Sequence, residues 1–220
     1  MIKMKIRILL FTLSLLLSST LFSQSPEAVK AKQILDNVSA KTKGYSSITA
    51  DFSFTLENLQ ANITDTHSGR IVIKGDKYKV SIMGVDNYFD GKTLWMHMKD
   101  AGEVNITDPA AMDDEMLNPA TIFSMYEKGF KWIYVGEKML HGKKVDVVDL
   151  FPEDRNQEYS KIKLHIYQDN LQFARIEQIG KDGTNYFIDI TKMEVNQPFP
   201  DSFFTFDLIK HPEVEVIDLR

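Results

Sequence analysis

Ile48, Thr49, Ala50, Asp51, Phe52, Ser53, Phe54, Thr55, Leu56 and Glu57 follow one another in the stretch that decides the fold. The odd members of this run are apolar and the even ones polar. Side chains of a strand alternate faces, so one face is apolar and the other wet. A strand covered on one face belongs to an antiparallel sheet, because parallel sheets are buried on both.

The same pattern extends in both directions. Upstream, Ser25 before Pro26 predicts a helix start, with Ala28, Ala31, Ile34, Leu35 and Val38 at helical spacing and Gly44 at the stop. The helix is placed at Pro26 to Lys43, and a strand from Ser47 to Asn58 follows it. Downstream, Gly69 to Lys74 and Lys77 to Met83 flank the turn pair Gly75-Asp76, while Asn87 to Phe89 and Thr93 to Met98 flank Asp90-Gly91-Lys92. Glu103 to Thr107 is one more short strand. After a break, strands resume at Phe130 to Gly136, Lys143 to Leu150, Tyr159 to Tyr167, Leu171 to Ile179 and Asn185 to Met193. The fold class is α+β, an antiparallel run of about ten to eleven strands that tends to curl to protect its edges. From Asp108 to Glu127 the strand pattern disappears. Asp108-Pro109 and Asn118-Pro119 are both helix starts, the second opening a helix that ends near Gly129. The insert reads as helical and interrupts the strands.

The chain begins with a basic segment, Lys3, Lys5 and Arg7, then an apolar run from Ile8 to Leu17, too short to span a bilayer, which needs roughly 20 residues. Residues 1–23 are read as a cleaved secretory signal, with cleavage after Ser23, and residues 24–220 as one domain. The alternative is a single anchoring helix. There is no cysteine, hence no disulfide, no thiolate metal site and no acylated N-terminal cysteine; the leader predicts export, and the chain is expected not to be lipid-anchored by that route. The whole chain carries a net charge of −5, and removing the basic leader makes it more acidic. That excludes nucleic acid as a partner, since a phosphate backbone needs a basic face.

No nucleophile motif, phosphate loop or dinucleotide fingerprint is present, so no catalytic residue and no enzyme is expected. The histidines at 67, 97, 141, 165 and 211 have no metal-ligand spacing, and neither metal nor cofactor is expected. Asp108, Asp113, Asp114 and Glu115 read as a solvated loop or as a docking patch for a basic partner. Eight methionines lie beyond residue 23, and adaptable thioether side chains suit varied apolar ligands.

At Asp90-Gly91-Lys92-Thr93-Leu94-Trp95 the chain resembles the periplasmic outer-membrane lipoprotein carriers, the LolA family. Ile48 to Phe54 looks like that family's first long strand and Ser68 to Lys74 like its second. Asn118-Pro119 with Ile122 and Phe123 resembles the lid helix, which implies a mid-chain helical lid here. Phe203-Phe204-Thr205-Phe206, followed by Val214 to Asp218, is similar to the C-terminal signature. The resemblance implies an incomplete barrel around a hydrophobic cavity. It also implies acylated lipoproteins as cargo, an inner-membrane ABC-type release complex as donor and an outer-membrane acceptor; the chain is expected to be a monomer. The family's arginine after the second strand is absent, and Lys74 is the candidate lid latch in its place, although a lysine cannot reproduce a guanidinium fork. No longer C-terminal extension with a strand of its own is expected beyond the signature.

The implied acyl-chain site comprises Phe52, Phe54, Tyr78, Val80, Ile82, Trp95, Leu164 and Ile166 on the strands. The lid contributes Met112, Met116, Ile122, Phe123, Met125 and Tyr126. On pattern alone Phe52, Phe54, Tyr78 and Trp95 read as filled core, while for Ile48, Val80 and Leu164 core and cavity wall weigh equally. The function this implies is a carrier that takes acyl chains of lipoproteins released from the inner membrane to the outer membrane. The alternative is a periplasmic lipid- or lipoprotein-sensing module of the same fold.

Overall fold

A computed structural model describes residues 25–108 and 125–220. The leader lies outside the described residues, as does most of the expected lid.

The chain opens with helix α1, Pro26–Lys43, at the bounds its spacing predicts. The Ser25 hydroxyl accepts the Ala28 amide at 3.2 Å, satisfying one orphan donor of the first turn. Ala31, Ile34, Leu35 and Val38 form its buried stripe. Twelve strands follow: β1 Ile48–Asn58, β2 Ile63–Lys74, β3 Lys77–Ile82, β4 Val85–Phe89, β5 Leu94–Met98, β6 Glu103–Thr107, β7 Phe130–Leu140, β8 Lys143–Pro152, β9 Tyr159–Tyr167, β10 Phe173–Gly180, β11 Thr184–Val195 and β12 Glu215–Asp218. They form one sheet in the order β12-β6-β5-β4-β3-β2-β1-β11-β10-β9-β8-β7. The sheet does not close on itself; β7 and β12 are its edges.

The eleven strand segments of the sequence are all present. The twelfth, β12, lies in the C-terminal signature and runs parallel to β6, which a hairpin-by-hairpin reading does not reach. Where a mid-chain helical lid is expected, the described part is a single 3-10 turn at Met125–Glu127. The lid is therefore not seen among the described residues, where α1 is the one helix longer than a turn.

Register divides the side chains between two faces, since directly opposed residues share a face. Inner-face residues Ile48 and Ala50 stand opposite Ile73 and Ile71; Ile71 and Ile73 stand opposite Val80 and Tyr78. On the other wing Ile188 faces Ile176, Ile176 faces Leu164, and Leu164 faces Val148. With the α1 stripe these make one continuous core. The helix lies nearest β7, and the Lys30 ammonium sits 3.7 Å over the Tyr134 ring.

The outer face has two kinds of cover. Over β2–β6 a strap, residues 196–214, buries Phe204 and Phe206 near Val72, Val104 and Ile106, which are buried too. Phe206 stacks on His211 at 5.0 Å between ring centroids and meets His97 at 4.8 Å. Over β8–β11 there are ion pairs. Asp149 is held by Lys161 and Lys163, His165 Nε2 lies 2.8 Å from Glu177, and Arg175 reaches Asp189 through two bonds of 2.6 and 3.0 Å. Burial works to raise the Asp149 pKa; the two lysine hydrogen bonds outweigh it and leave the carboxyl below its usual range.

The β3–β4 connection places Met83 (φ 52°) and Gly84 (φ 77°) both in the left-handed region, the geometry of a tight primed hairpin turn. Such turns favour Asn before Gly, and a methionine there carries a steric cost. Met83 is 59% exposed, so its side chain returns little packing. Met83→Asn is expected to stabilise the fold by about 0.5–1 kcal/mol, read as a higher urea midpoint at unchanged slope; a lowered midpoint contradicts the turn.

Candidate functional site

The inner face is incompletely covered by the described elements. Tyr78, Val80, Leu164 and Ile166 are buried in the core. Phe52, Phe54 and Ile82, further along the same face, are only half-buried and pack against the core's rim. The Phe52 ring lies flat over Gly69 on the neighbouring strand; a Cβ at 69 would stand 2.5 Å from its Cζ. Phe54 stacks on Tyr186 at 5.9 Å between centroids. The face continues through Val85, Met96 and Met98, also half-buried, because Asn87 faces Val80 on one side and Met96 on the other. Two polar atoms interrupt this wall. The Oδ1 atoms of Asn87 and Asn105, either side of Met96, are buried without a partner among the described residues.

Trp95 stands elsewhere. It lies opposite Tyr88 and Ile106, which places it on the outer face and not with Phe52 and Val80. Its size draws the eye, but the alternation Leu94, Met96, Met98 shows which residues of β5 point inward. Lys74 is also placed elsewhere. Its ammonium donates to the Phe199 carbonyl at 2.8 Å and to Asp201 at 2.9 Å, and Lys77 meets the same carboxylate at 2.7 Å. Among the described residues it ties down the strap. Met112, Met116, Ile122 and Phe123 lie outside the described residues. Met125 is in the 3-10 turn, and Tyr126 is buried against Phe173 at 6.2 Å between ring centroids.

A half-open hollow of about 530 Å³ lies beside α1. Lys32, Asp36, Ser39 and Lys43 line it along the helix flank, over roughly 16 Å at 1.5 Å per residue. Tyr126, Glu127 and Trp132 line it too, with Leu35 and Ala40 adding apolar surface. Among the described residues expected to line a cavity, Tyr126 alone borders this one. Its rim is ion-paired: Lys32 to Asp36 at 2.7 Å, Lys43 to Glu127 at 2.8 Å, and the Ser39 hydroxyl donating to Glu127 at 2.6 Å. Burial pushes the Tyr126 phenol pKa well up, so its proton stays on. Among the described residues no cluster of His, Asp and Glu could hold a metal ion, and no helix is long and apolar enough to cross a membrane.

The family of the outer membrane lipoprotein carrier protein LolA matches residues 19–159. The chain belongs to this family. A crystal structure of an uncharacterized conserved protein from Thermus thermophilus shares the fold, with a TM-score of 0.57, 10% identity, and coverage of 86% of this chain and 99% of that one. A putative outer membrane lipoprotein-sorting protein domain from Vibrio parahaemolyticus aligns with a TM-score of 0.45 and 13% identity, over 81% of this chain and 97% of that one. An uncharacterized protein of Methanocaldococcus jannaschii is 26% identical over 194 residues, 87% of this chain. The chain spans 55% of that relative's length.

The strap has a pH dependence that its geometry sets. Hydrogen bonds from Lys77 and then Lys74 hold the Asp201 carboxyl at about 2 instead of its ordinary 3.8. A carboxyl depressed in the folded chain stabilises it above the unfolded pKa, and that contribution fades as pH falls from 3.8 to about 2. Asp201→Asn at pH 7 is expected to speed amide exchange across residues 199–204 while leaving α1 unchanged; unchanged exchange in the strap overturns its tethering by Lys74 and Lys77.

Proposed function

We propose that this protein is a periplasmic carrier that binds the acyl chains of lipoproteins released from the inner membrane and delivers them to the outer membrane. The observation that carries the reading is the half-buried apolar stretch of Phe52, Phe54, Ile82, Met96 and Met98, continuous with the core yet short of full cover. Membership of the LolA family supports it. The donor is an ABC-type release complex of the inner membrane, and the receiver an acceptor at the outer membrane. The first 23 residues serve as the export signal, and the exported chain works as a monomer by binding, without catalysis.

The physical need is plain. An acyl chain of about 16 carbons exposed to water costs on the order of 10 kcal/mol at roughly 0.8 per methylene, so acylated cargo does not diffuse between membranes unaided. A wall of Phe, Ile and Met offers a dry surface. Methionine side chains bend to fit chains of different length. Because the wall is already partly packed, release costs less than it would from a fully open cavity.

Purified protein is expected to extract a palmitoylated lipoprotein from spheroplasts competent for release, and to hold it in a soluble complex. Phe54→Ser removes apolar contact from the wall at a half-buried position and replaces no fully buried side chain. It is expected to weaken palmitate binding about tenfold, in line with the roughly 1.5–3 kcal/mol that burial of a large apolar side chain supplies. A folded protein that releases no lipoprotein, or a Phe54→Ser variant that binds palmitate as the parent does, overturns this reading.

A further inference from the structure

The strap meets the sheet through a pair of histidines. His97 lies on β5 beneath the strap and is 8% exposed. Phe206 touches both rings, 4.8 Å from His97 and 5.0 Å from His211 between centroids. The two imidazoles are themselves 5.5 Å apart. One belongs to the sheet and the other to the strap, so the pair exists while the strap is down.

The charges around His97 leave it poorly placed to hold a proton. Asp86 of β4 stands opposite it in register. That carboxylate is already taken: Lys99 meets it at 2.8 Å, Lys79 of β3 at 3.7 Å, and the Tyr88 hydroxyl donates to it at 3.3 Å. Lys99 also shares the outer face of β5 with His97, two residues on. On the other side β6 presents Val104. The strap brings His211 and Glu213, whose carboxylate lies 3.5 Å from His211 Nδ1 and so serves that ring. Further out on the strap, Asp207 and Lys210 pair with each other at 3.0 Å. Burial first, and then His211, hold the His97 pKa below its ordinary 6.5; Asp86 and Glu213 offset this in part, and Lys99 adds to it.

We propose that the outer half of the strap, residues 203–215, is an acid-released clasp: protons on both His97 and His211 drive it off the sheet. Two cations at that spacing repel, and a charge on His97 is also costly under cover. Opening parts the rings and lets water reach both. The direction follows from proton uptake. Open, His97 binds protons with its ordinary affinity; closed, it binds them less well. Closure is therefore fully favoured above 6.5 and weakens as pH falls below it. The Asp201 tether at the strap's start fades between 3.8 and about 2, so the two responses are separate in pH. Release uncovers Val72, Val104 and Ile106 on the outer face. The device needs no ligand and holds whatever the inner face binds.

Amide exchange of the full chain at pH 7.5 and pH 5.5, corrected for the intrinsic rate at each pH, tests the clasp. The Glu215 amide, bonded to the Gly102 carbonyl at 2.9 Å, and the Val214 amide, bonded to the His211 carbonyl at 3.2 Å, are the probes. One proton shifts an opening equilibrium by at most tenfold per pH unit, and protection over 203–215 is expected to fall about fivefold at pH 5.5 with α1 unchanged. His97→Gln and His211→Gln are each expected to keep the pH 7.5 protection at pH 5.5. If His97→Gln loosens the strap at both pH values, the exposed His211→Gln variant decides. Equal protection of the parent at the two pH values overturns the clasp. So does a step that survives His211→Gln, or a loss shared equally by α1.

Discussion

A sheet of twelve strands has more apolar inner surface than one eighteen-residue helix can cover. At roughly 4.8 Å per strand the sheet is roughly 58 Å across, whereas α1 is roughly 27 Å long and roughly 10 Å wide. The helix settles beside β7 and completes a dry core with β8–β11 and the near ends of β1–β3. Beyond its reach, Phe52, Phe54, Ile82 and Met96 stay half-covered. The candidate site is thus the part of the core that the described elements leave unfinished. This mismatch also explains why the strand alternation continues without a break from buried positions into half-exposed ones: one face serves both purposes.

The outer face meets the opposite demand, to be finished everywhere. Where its residues are apolar, at Val72, Val104 and Ile106, the strap supplies Phe204 and Phe206. Where the strap does not reach, a small apolar cluster of Val145, Val147 and Ala174 is buried beside paired charges: Lys161 meets Asp149, and Arg175 meets both Glu177 and Asp189. The strap is fastened at its start by Ser47 to the Gln197 carbonyl and by Lys74, and at its far end by pairing of β12 with β6. A lysine suits this task. Its single ammonium reaches a carbonyl and a carboxylate at once, and no planar fork is required.

Much of this fold was legible because its turns carry their own chemistry. Asp90 accepts the amides of Lys92 and Thr93, and Asp182 that of Thr184, so those turns announce themselves locally. The helix bounds were legible for the same reason, through Ser25 and Pro26. What failed was everything that depends on distant partners. β12 is four residues whose partner, β6, lies more than a hundred positions upstream. Trp95 enters the implied site through the family resemblance, whereas the parity of its neighbours on β5 puts it on the outer face. Lys74 was read by its position after β2, although its partners lie some 125 residues away at Phe199 and Asp201. The groove at Tyr126 has no linear signature, since it joins one flank of α1 to a residue 88 positions beyond Ser39.

The central strand β1 is paired on one side with β2, its immediate successor, and on the other with β11, whose register joins Ile48 to Val195. Half of the middle of the sheet therefore cannot assemble until nearly the whole polypeptide is available. Contacts so far apart in sequence make for slow folding, because the entropy of closing the long loop is lost before any reward arrives. A nascent chain of this design stays open for most of its synthesis, and its middle closes only after the ribosome has delivered the β11 segment.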